Sequence, residues 1–227
     1  MLPVRFRKFW VAKGTNVGTM RIGLDFDNTI VSYDHVFHMV AVDHGLIDPA
    51  VPASKVAIRD HMRRTGNEDA WTELQGYVYG KRMADASAFP GVVEFLRHAR
   101  DSAITVYIIS HKTRYPFAGP RYDLHQAAEA WIESTLVDEG GALICRDNIS
   151  FYEGKDEKIS RVGALECDVF VDDLPEILTA PGFPDGTRRI LFDPDRYHAP
   201  LPGIQSIVHW KDIRSHITVM ERRGLGG

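Results

Sequence analysis

Short apolar runs alternate with amphipathic stretches along this chain, and the change of period marks out strands and helices. Ile22 and Leu24 carry a first strand that runs into Asp25, with Asp27 two residues on. The period then becomes helical, with Val36, Met39, Val40 and Val42 inside the stretch from His35 to Leu46. Pro49 and Pro52 punctuate the chain, and Ser54 is placed to cap a helix over Lys55–Arg64. Thr65-Gly66-Asn67 ends that helix and opens another, on which Trp71, Leu74 and Val78 share a face.

Beyond Phe89-Pro90-Gly91 the alternation resumes. It predicts a helix over 92–100, a strand over 104–109 that ends at Ser110, and a helix opened by Tyr122-Asp123. Short strands follow at 142–144 and 149–152, then a helix over 156–165 and a buried strand, Val169-Phe170-Val171, ending at Asp172-Asp173. Strands at 189–192 and 207–210 and a helix from Asp212 to about Arg222 complete the pattern. This order predicts a three-layer α/β fold, a doubly wound, Rossmann-like parallel sheet with helices on both faces and a small helical insertion. Residues 1–19 are expected to be a loosely attached extension, 20–33 and 88–227 the core, and 34–87 the insertion. The glycine-rich end, Gly224 to Gly227, is expected to fray.

Composition narrows the function classes. A net charge of -4 over 227 residues carries no footprint of nucleic-acid or anionic-membrane binding. No apolar run approaches the roughly 20 residues that span a bilayer. Two cysteines, Cys145 and Cys167, are too few for a disulfide framework, which fits a reducing, cytoplasmic setting, and both read as small core residues. The first nineteen residues have no continuous apolar stretch of the secretory type.

The chemistry gathers at strand ends. Two acids two residues apart at the end of a buried strand repel unless a cation or a proton intervenes. A plain Asx-rich turn would also suit Asp-Asn-Thr. In a parallel sheet, however, the ends carrying Asp25 and Asp27, Ser110, and Asp172 and Asp173 lie along one edge, where ligands bind. Four carboxylates without a His or Cys cluster point to a hard divalent ion, most naturally Mg²⁺. Glu153-Gly154-Lys155-Asp156-Glu157-Lys158 puts lysines at a helix N-terminus, suited to an anion.

With these pieces in order, the sequence resembles the haloacid dehalogenase superfamily of phosphohydrolases, in its small capped form. The resemblance rests on Leu24-Asp25-Phe26-Asp27-Asn28-Thr29, on the strand ending in Ser110, on the helix-opening lysine and on Val171-Asp172-Asp173. It implies a Mg²⁺-dependent phosphatase that hydrolyses a phosphate monoester of a small metabolite through an aspartyl-phosphate. Asp25 would be the nucleophile and Asp27 the general acid and base. Mg²⁺ would be held by the Asp25 carboxylate, the Asp27 carbonyl and one acid of the Asp172-Asp173 pair, with Asp173 preferred. Ser110 and a lysine would contact the transferring phosphoryl group. Both Lys155 and Lys158 stand four and seven residues before apolar positions, and Lys155 is preferred.

An insertion between the first two motifs is where this superfamily places one class of cap; it is equally compatible with a homodimer surface. The loop His111-Lys112-Thr113-Arg114-Tyr115-Pro116-Phe117-Ala118-Gly119-Pro120-Arg121-Tyr122-Asp123 reads either as a pocket wall or as a solvated basic loop. As a wall it would serve a second anionic or polyhydroxylated part of the substrate. Thr29, His111, Lys112, Arg114 and Arg121 are accordingly candidate substrate-binding residues. Trp210 reads as packing, and the histidines at 35, 38, 44 and 61 show no ligand spacing. A phosphorylated intermediate of sugar or surface-polysaccharide biosynthesis is the favoured substrate. A phosphotransferase such as a phosphomutase, or a catalytically silent binding protein, are the alternatives.

Overall fold

The computed structural model describes residues 19–213 and 215–217. The expected extension up to residue 18, the last turns of the predicted final helix and the glycine-rich end lie outside the described residues. In chain order the elements begin with β1 (Arg21–Leu24), β2 (Val31–Ser32), α1 (Asp34–Asp43), α2 (Lys55–Arg64), α3 (Glu68–Gly80) and β3 (Ser87–Ala88). Next come α4 (Val92–Asp101), β4 (Thr105–His111), α5 (Leu124–Thr135), β5 (Val137–Asp138), β6 (Gly141–Ala142) and β7 (Ile149–Tyr152). The series ends with α6 (Lys155–Ala164), β8 (Val169–Asp172), α7 (Pro175–Leu178), β9 (Arg188–Phe192) and β10 (Gln205–Ile207).

Six strands form one sheet in the order β10-β9-β8-β1-β4-β7, and every pairing in it is parallel. β1 lies between β4 and β8, so its end is flanked by those that carry Ser110 and Asp172. Strand alternation assigns the side chains to two faces. Val106, Ile108, Val169, Val171, Ile190 and Phe192 pack on one side with α4 and α5. Ile109, Phe170 and Leu191 pack on the other with α6 and α7. The three-layer α/β arrangement follows directly. Gly23 is needed for it, because a Cβ there would stand 2.6 Å from the Phe170 ring.

Helices α1, α2 and α3 leave the core through β2 and return through β3, which pair antiparallel. Ser54 caps α2 as its sequence implies, accepting from the Ala57 N–H. Val36, Phe37, Trp71 and Leu74 are continuous with the apolar cluster under β1 and β4. Phe37 stacks on Trp71 at 5.2 Å between ring centroids. The insertion is thus seated on the core rather than held away from it. No described helix is long and apolar enough to cross a membrane.

Three expectations are corrected. The run at 142–144 is no strand of the main sheet: Gly141, with φ of +105°, follows a turn in which Asp138 accepts from the Gly140 N–H. The chain reverses there into the β5–β6 hairpin, and Leu143 and Ile144 are buried beyond it as loop. Cys145 comes after that burial ends and is exposed, whereas Cys167 is buried. The last strand stops at Ile207, and residues 210–213 are already helical, with Trp210 buried against Phe95 and Phe192.

Candidate active site

The site is built at the carboxyl edge of the central strands. The Asp25 N–H donates to the Val171 carbonyl at 2.9 Å, which extends the ladder one residue past β1 and fixes the carboxylate, 4% exposed, at the edge. A tight turn follows, closed by the Ile30 and Val31 N–H groups donating to the Phe26 carbonyl. Asn28 takes φ of +58° within it, a conformation asparagine tolerates better than most residues. The turn sets Asp27 against partners of its own, Tyr33 and Lys112. Asp27 Oδ1 accepts from the Tyr33 hydroxyl. Both Asp27 oxygens face Lys112 Nζ, at 2.9 and 2.8 Å.

Asp25, Asp172 and Asp173 do converge, with one carboxylate oxygen of each within 4.8 Å of the others. Lys158 Nζ bridges Asp25 Oδ1 and Asp172 Oδ2 at 2.6 Å each. The Leu174 N–H donates to Asp172 Oδ1, and Thr29 Oγ1 donates to Asp173 Oδ1. Burial works against the charge on Lys158, but Asp172 and Asp25 outweigh it and hold its pKa above that of a free lysine. Burial pushes Asp172 up to about 7 against the pull of Lys158. Burial and the Asp25 and Asp172 charges carry Asp173 well above the ordinary carboxylate range. Three crowded carboxylates served by one ammonium are short of positive charge. Their oxygen-only donor set fits a hard divalent cation.

At Asp27 burial is again the largest influence and raises the pKa. Lys112, with help from Tyr33, more than reverses it, so Asp27 is held below its usual value as a carboxylate. Burial and the neighbouring Asp27 charge raise Tyr33 well above the usual phenol value. On the other side of β1, Ser110 is 0% exposed, and its hydroxyl has no hydrogen-bond partner. A buried, unpaired hydroxyl at the edge of this cluster is a polar group set for a ligand.

The two candidate lysines separate cleanly, and the preference for Lys155 is corrected. Lys155 is the first residue of α6, and its side chain, tilted past the helix end, pairs with exposed Glu176 at 3.1 Å. Lys158 stands one turn further in, where the same tilt delivers Nζ to the strand ends. Of the substrate-binding candidates, Lys112 and Thr29 reach the acids. His111 does not: its Nε2 lies 3.0 Å from the Glu153 carbonyl. Arg114 pairs with Asp123 at 3.0 Å, and Arg121 lies over the Tyr115 ring at 3.9 Å. Both are committed within the loop. Trp210 packs, and its Nε1–H donates to the Thr29 carbonyl.

Sequence reasoning missed Tyr33, Tyr79 and Lys55. Lys112 and Lys55 lie 4.8 and 5.4 Å from the Tyr79 ring centroid, on a helix otherwise legible only as amphipathic. Tyr33 could have been found from the tight turn that returns the chain toward Asp27. Lys55 gives no sequence signal beyond its place after a helix cap. A cavity of about 280 Å³ adjoins this edge and includes Asn28, Tyr33, Lys55, Arg59 and Asp173 in its lining.

No family model matches the chain. It is 24% identical over 204 residues to a provisionally named nucleotidase of Oceanobacillus iheyensis, covering 85% of this chain and 96% of that protein. Among solved structures it is similar to a haloacid dehalogenase-like family hydrolase from Xanthomonas campestris, with a TM-score of 0.53 and 12% identity over 91% of this chain and 97% of that one. A HAD family hydrolase from Deinococcus radiodurans, with bound phosphate and sodium, has a TM-score of 0.53 at 15% identity, covering 88% of this chain and 95% of that one. A predicted phosphoglycolate phosphatase from Haemophilus somnus has a TM-score of 0.55 at 12% identity, covering 88% and 98% respectively. The chain has the haloacid dehalogenase-type α/β fold.

Proposed function

We propose that this protein is a Mg²⁺-dependent phosphatase that hydrolyses a small phosphate monoester through a phosphoaspartate on Asp25. One observation carries the reading: Asp25, Asp172 and Asp173 converge, with Lys158 bridging Asp25 and Asp172, at the same edge that holds the unpaired Ser110 hydroxyl. Asp25, Asp172 and Asp173, with the Asp27 carbonyl, would hold Mg²⁺. When bound, the ion supplies positive charge to the phosphoryl oxygens.

The chain's own groups divide the work. Asp25 attacks phosphorus and forms the P–O bond while the bond to the leaving oxygen breaks. Ser110 donates to a phosphoryl oxygen, and Lys158, bonded to Asp25 Oδ1, holds that carboxylate in orientation. Asp27 gives a proton to the leaving oxygen and later takes one from the water that attacks the phosphoaspartate, regenerating Asp25 and releasing phosphate. Lys112 holds Asp27 as the carboxylate, so before the first step Asp27 must part from Lys112 and take up a proton from solvent, which it then gives to the leaving oxygen. Helices α1, α2 and α3 act as a cap that excludes water from the edge. The shared apolar packing supports this placement.

The test is phosphate release from a panel of monoesters, nucleoside monophosphates included because of the nucleotidase-named relative, with and without Mg²⁺. The wild type releases phosphate only with Mg²⁺, and Asp25→Asn lowers the rate by about a thousandfold or more. Undiminished release by Asp25→Asn would overturn the nucleophile assignment. No release by a folded, Mg²⁺-binding protein would favour a phosphotransferase or a binding role.

A further inference from the structure

We infer that the loop after β4 clamps α3 to the core, so that the insertion is a fixed roof and small molecules reach the strand edge through the open side beside α2. The clamp stands on packing alone, and only what passes through the opening rests on the phosphatase reading.

Two glycines of α3 show how close the contact is. Gly76 and Gly80 are four residues apart and share a face of the helix. A Cβ at Gly76 would stand 2.6 Å from Pro116 Cβ and 3.1 Å from the Ala118 carbonyl oxygen. One at Gly80 would stand 2.4 Å from Tyr122 Cβ. Neither glycine has a positive φ, so each position uses the missing side chain and not an unusual backbone. Glycine weakens a helix, and here it lets the loop seat directly on the backbone of α3.

The loop is itself tied to the core. The Lys112 N–H donates to the Tyr152 carbonyl at 2.8 Å, and the Arg114 N–H donates to Glu153 Oε1 at 3.1 Å. The Leu124 N–H donates to the Arg114 carbonyl at 2.9 Å and closes the loop on itself, while Pro116 and Pro120 fix φ within it. Rings continue the seam. Tyr77 meets Tyr122 edge-on at 6.3 Å between centroids, and the Lys112 ammonium lies 4.8 Å from the Tyr79 centroid. Past the end of α3, the buried Trp131 Nε1–H donates to the Ala86 carbonyl at 2.9 Å. Swinging α3 away would break this seam as a unit and strip buried polar groups of their partners. The α2 side is different. There the cavity of about 280 Å³ runs between Val56 and Arg59 of α2 and the exposed Asp195 and Tyr197, with Asn28 and Asp173 also in its lining. The way to the edge is open with α3 seated.

The first test needs neither ligand nor turnover. Spin labels at Asp69→Cys on α3 and Glu94→Cys on α4, both exposed, are placed in a Cys145→Ser background, and their separation is measured by double electron–electron resonance. One population is expected in the free protein, unmoved by Mg²⁺ with inorganic phosphate. Gly76→Val, or Pro116→Gly from the loop side, is expected to add a longer one. Two populations with the clamp intact, a shift on adding Mg²⁺ and phosphate, or a single population that persists in both clamp variants would overturn the inference. The second test is a tether in the same background. A Cβ at Gly119 would lie 3.9 Å from Glu73 Cβ, the spacing of a disulfide. With Glu73→Cys and Gly119→Cys combined, the oxidised protein is expected to release phosphate within about twofold of the reduced one, which carries the same strain at 119, where φ is +81°. A loss of about tenfold or more on oxidation, reversed by reductant, would mean that α3 must lift and would equally overturn the inference. Absence of release from both forms defeats the phosphatase reading and leaves the distance measurement to decide the clamp.

Discussion

The edge of the sheet and the loop that follows it are both rich in charge, yet they differ in who neutralises whom. At the edge, Asp25, Asp172 and Asp173 outnumber Lys158, and burial keeps water from making up the difference. In the loop, Arg114 has Asp123 and Arg121 has the Tyr115 face, and Phe117 at the tip is 86% exposed. The loop is charged and satisfied; the edge is charged and short of a cation. The density of charged residues in the sequence is similar, so density alone does not identify a site. An uncompensated, buried deficit does.

The largest effect that can break this comparison is at Lys158. Lys158→Met leaves Asp25 and Asp172 without their shared ammonium and should cost about 3–5 kcal/mol of stability in the absence of Mg²⁺. Urea unfolding with and without Mg²⁺ measures it, with the ion expected to restore part of the loss. Lys155→Met removes an exposed pair and should change stability by less than about 1 kcal/mol. Equal losses in the two variants would mean that the edge is no more strained than the surface.

Ser110 sharpens the picture, because its hydroxyl holds nothing within the fold. Ser110→Ala should leave the melting temperature almost unchanged while lowering the rate of phosphate release by about a hundredfold. Unfolding scans and steady-state rates on one preparation separate the two effects. A destabilised Ser110→Ala with unaltered turnover would assign the hydroxyl to packing. Smallest of all should be Arg121→Ala and Arg114→Ala, each within about twofold of wild-type turnover and with little change in melting temperature. A tenfold rise in KM in either would return the loop to the site.

Much of the site was legible because its signals are local. An apolar strand that ends in a polar residue, three times over in a parallel pattern, places Asp25, Ser110 and Asp172 on one edge from the sequence alone. The helix cap at Ser54 and the capping Asp123 were legible for the same reason, since each acts within three residues of itself. The choice between Lys155 and Lys158 was not. Both have apolar residues at the same offsets, and only the point at which α6 starts relative to the strand ends decides which reaches the acids.

Sequence by itself thus determined the alternation of strands and helices, the faces they bury and the acids at their ends. These follow from periodicity and from the low tolerance of a buried strand for charge. Tertiary structure alone decided the partners: Lys112 and Tyr33 on Asp27, Lys158 between Asp25 and Asp172, and Lys55 and Arg59 at the cavity. A charge's partner is set by distances of a few ångströms across elements that lie as much as 133 residues apart in the chain, as Asp25 and Lys158 do. That separation is fixed by packing, and no pattern along the chain records it.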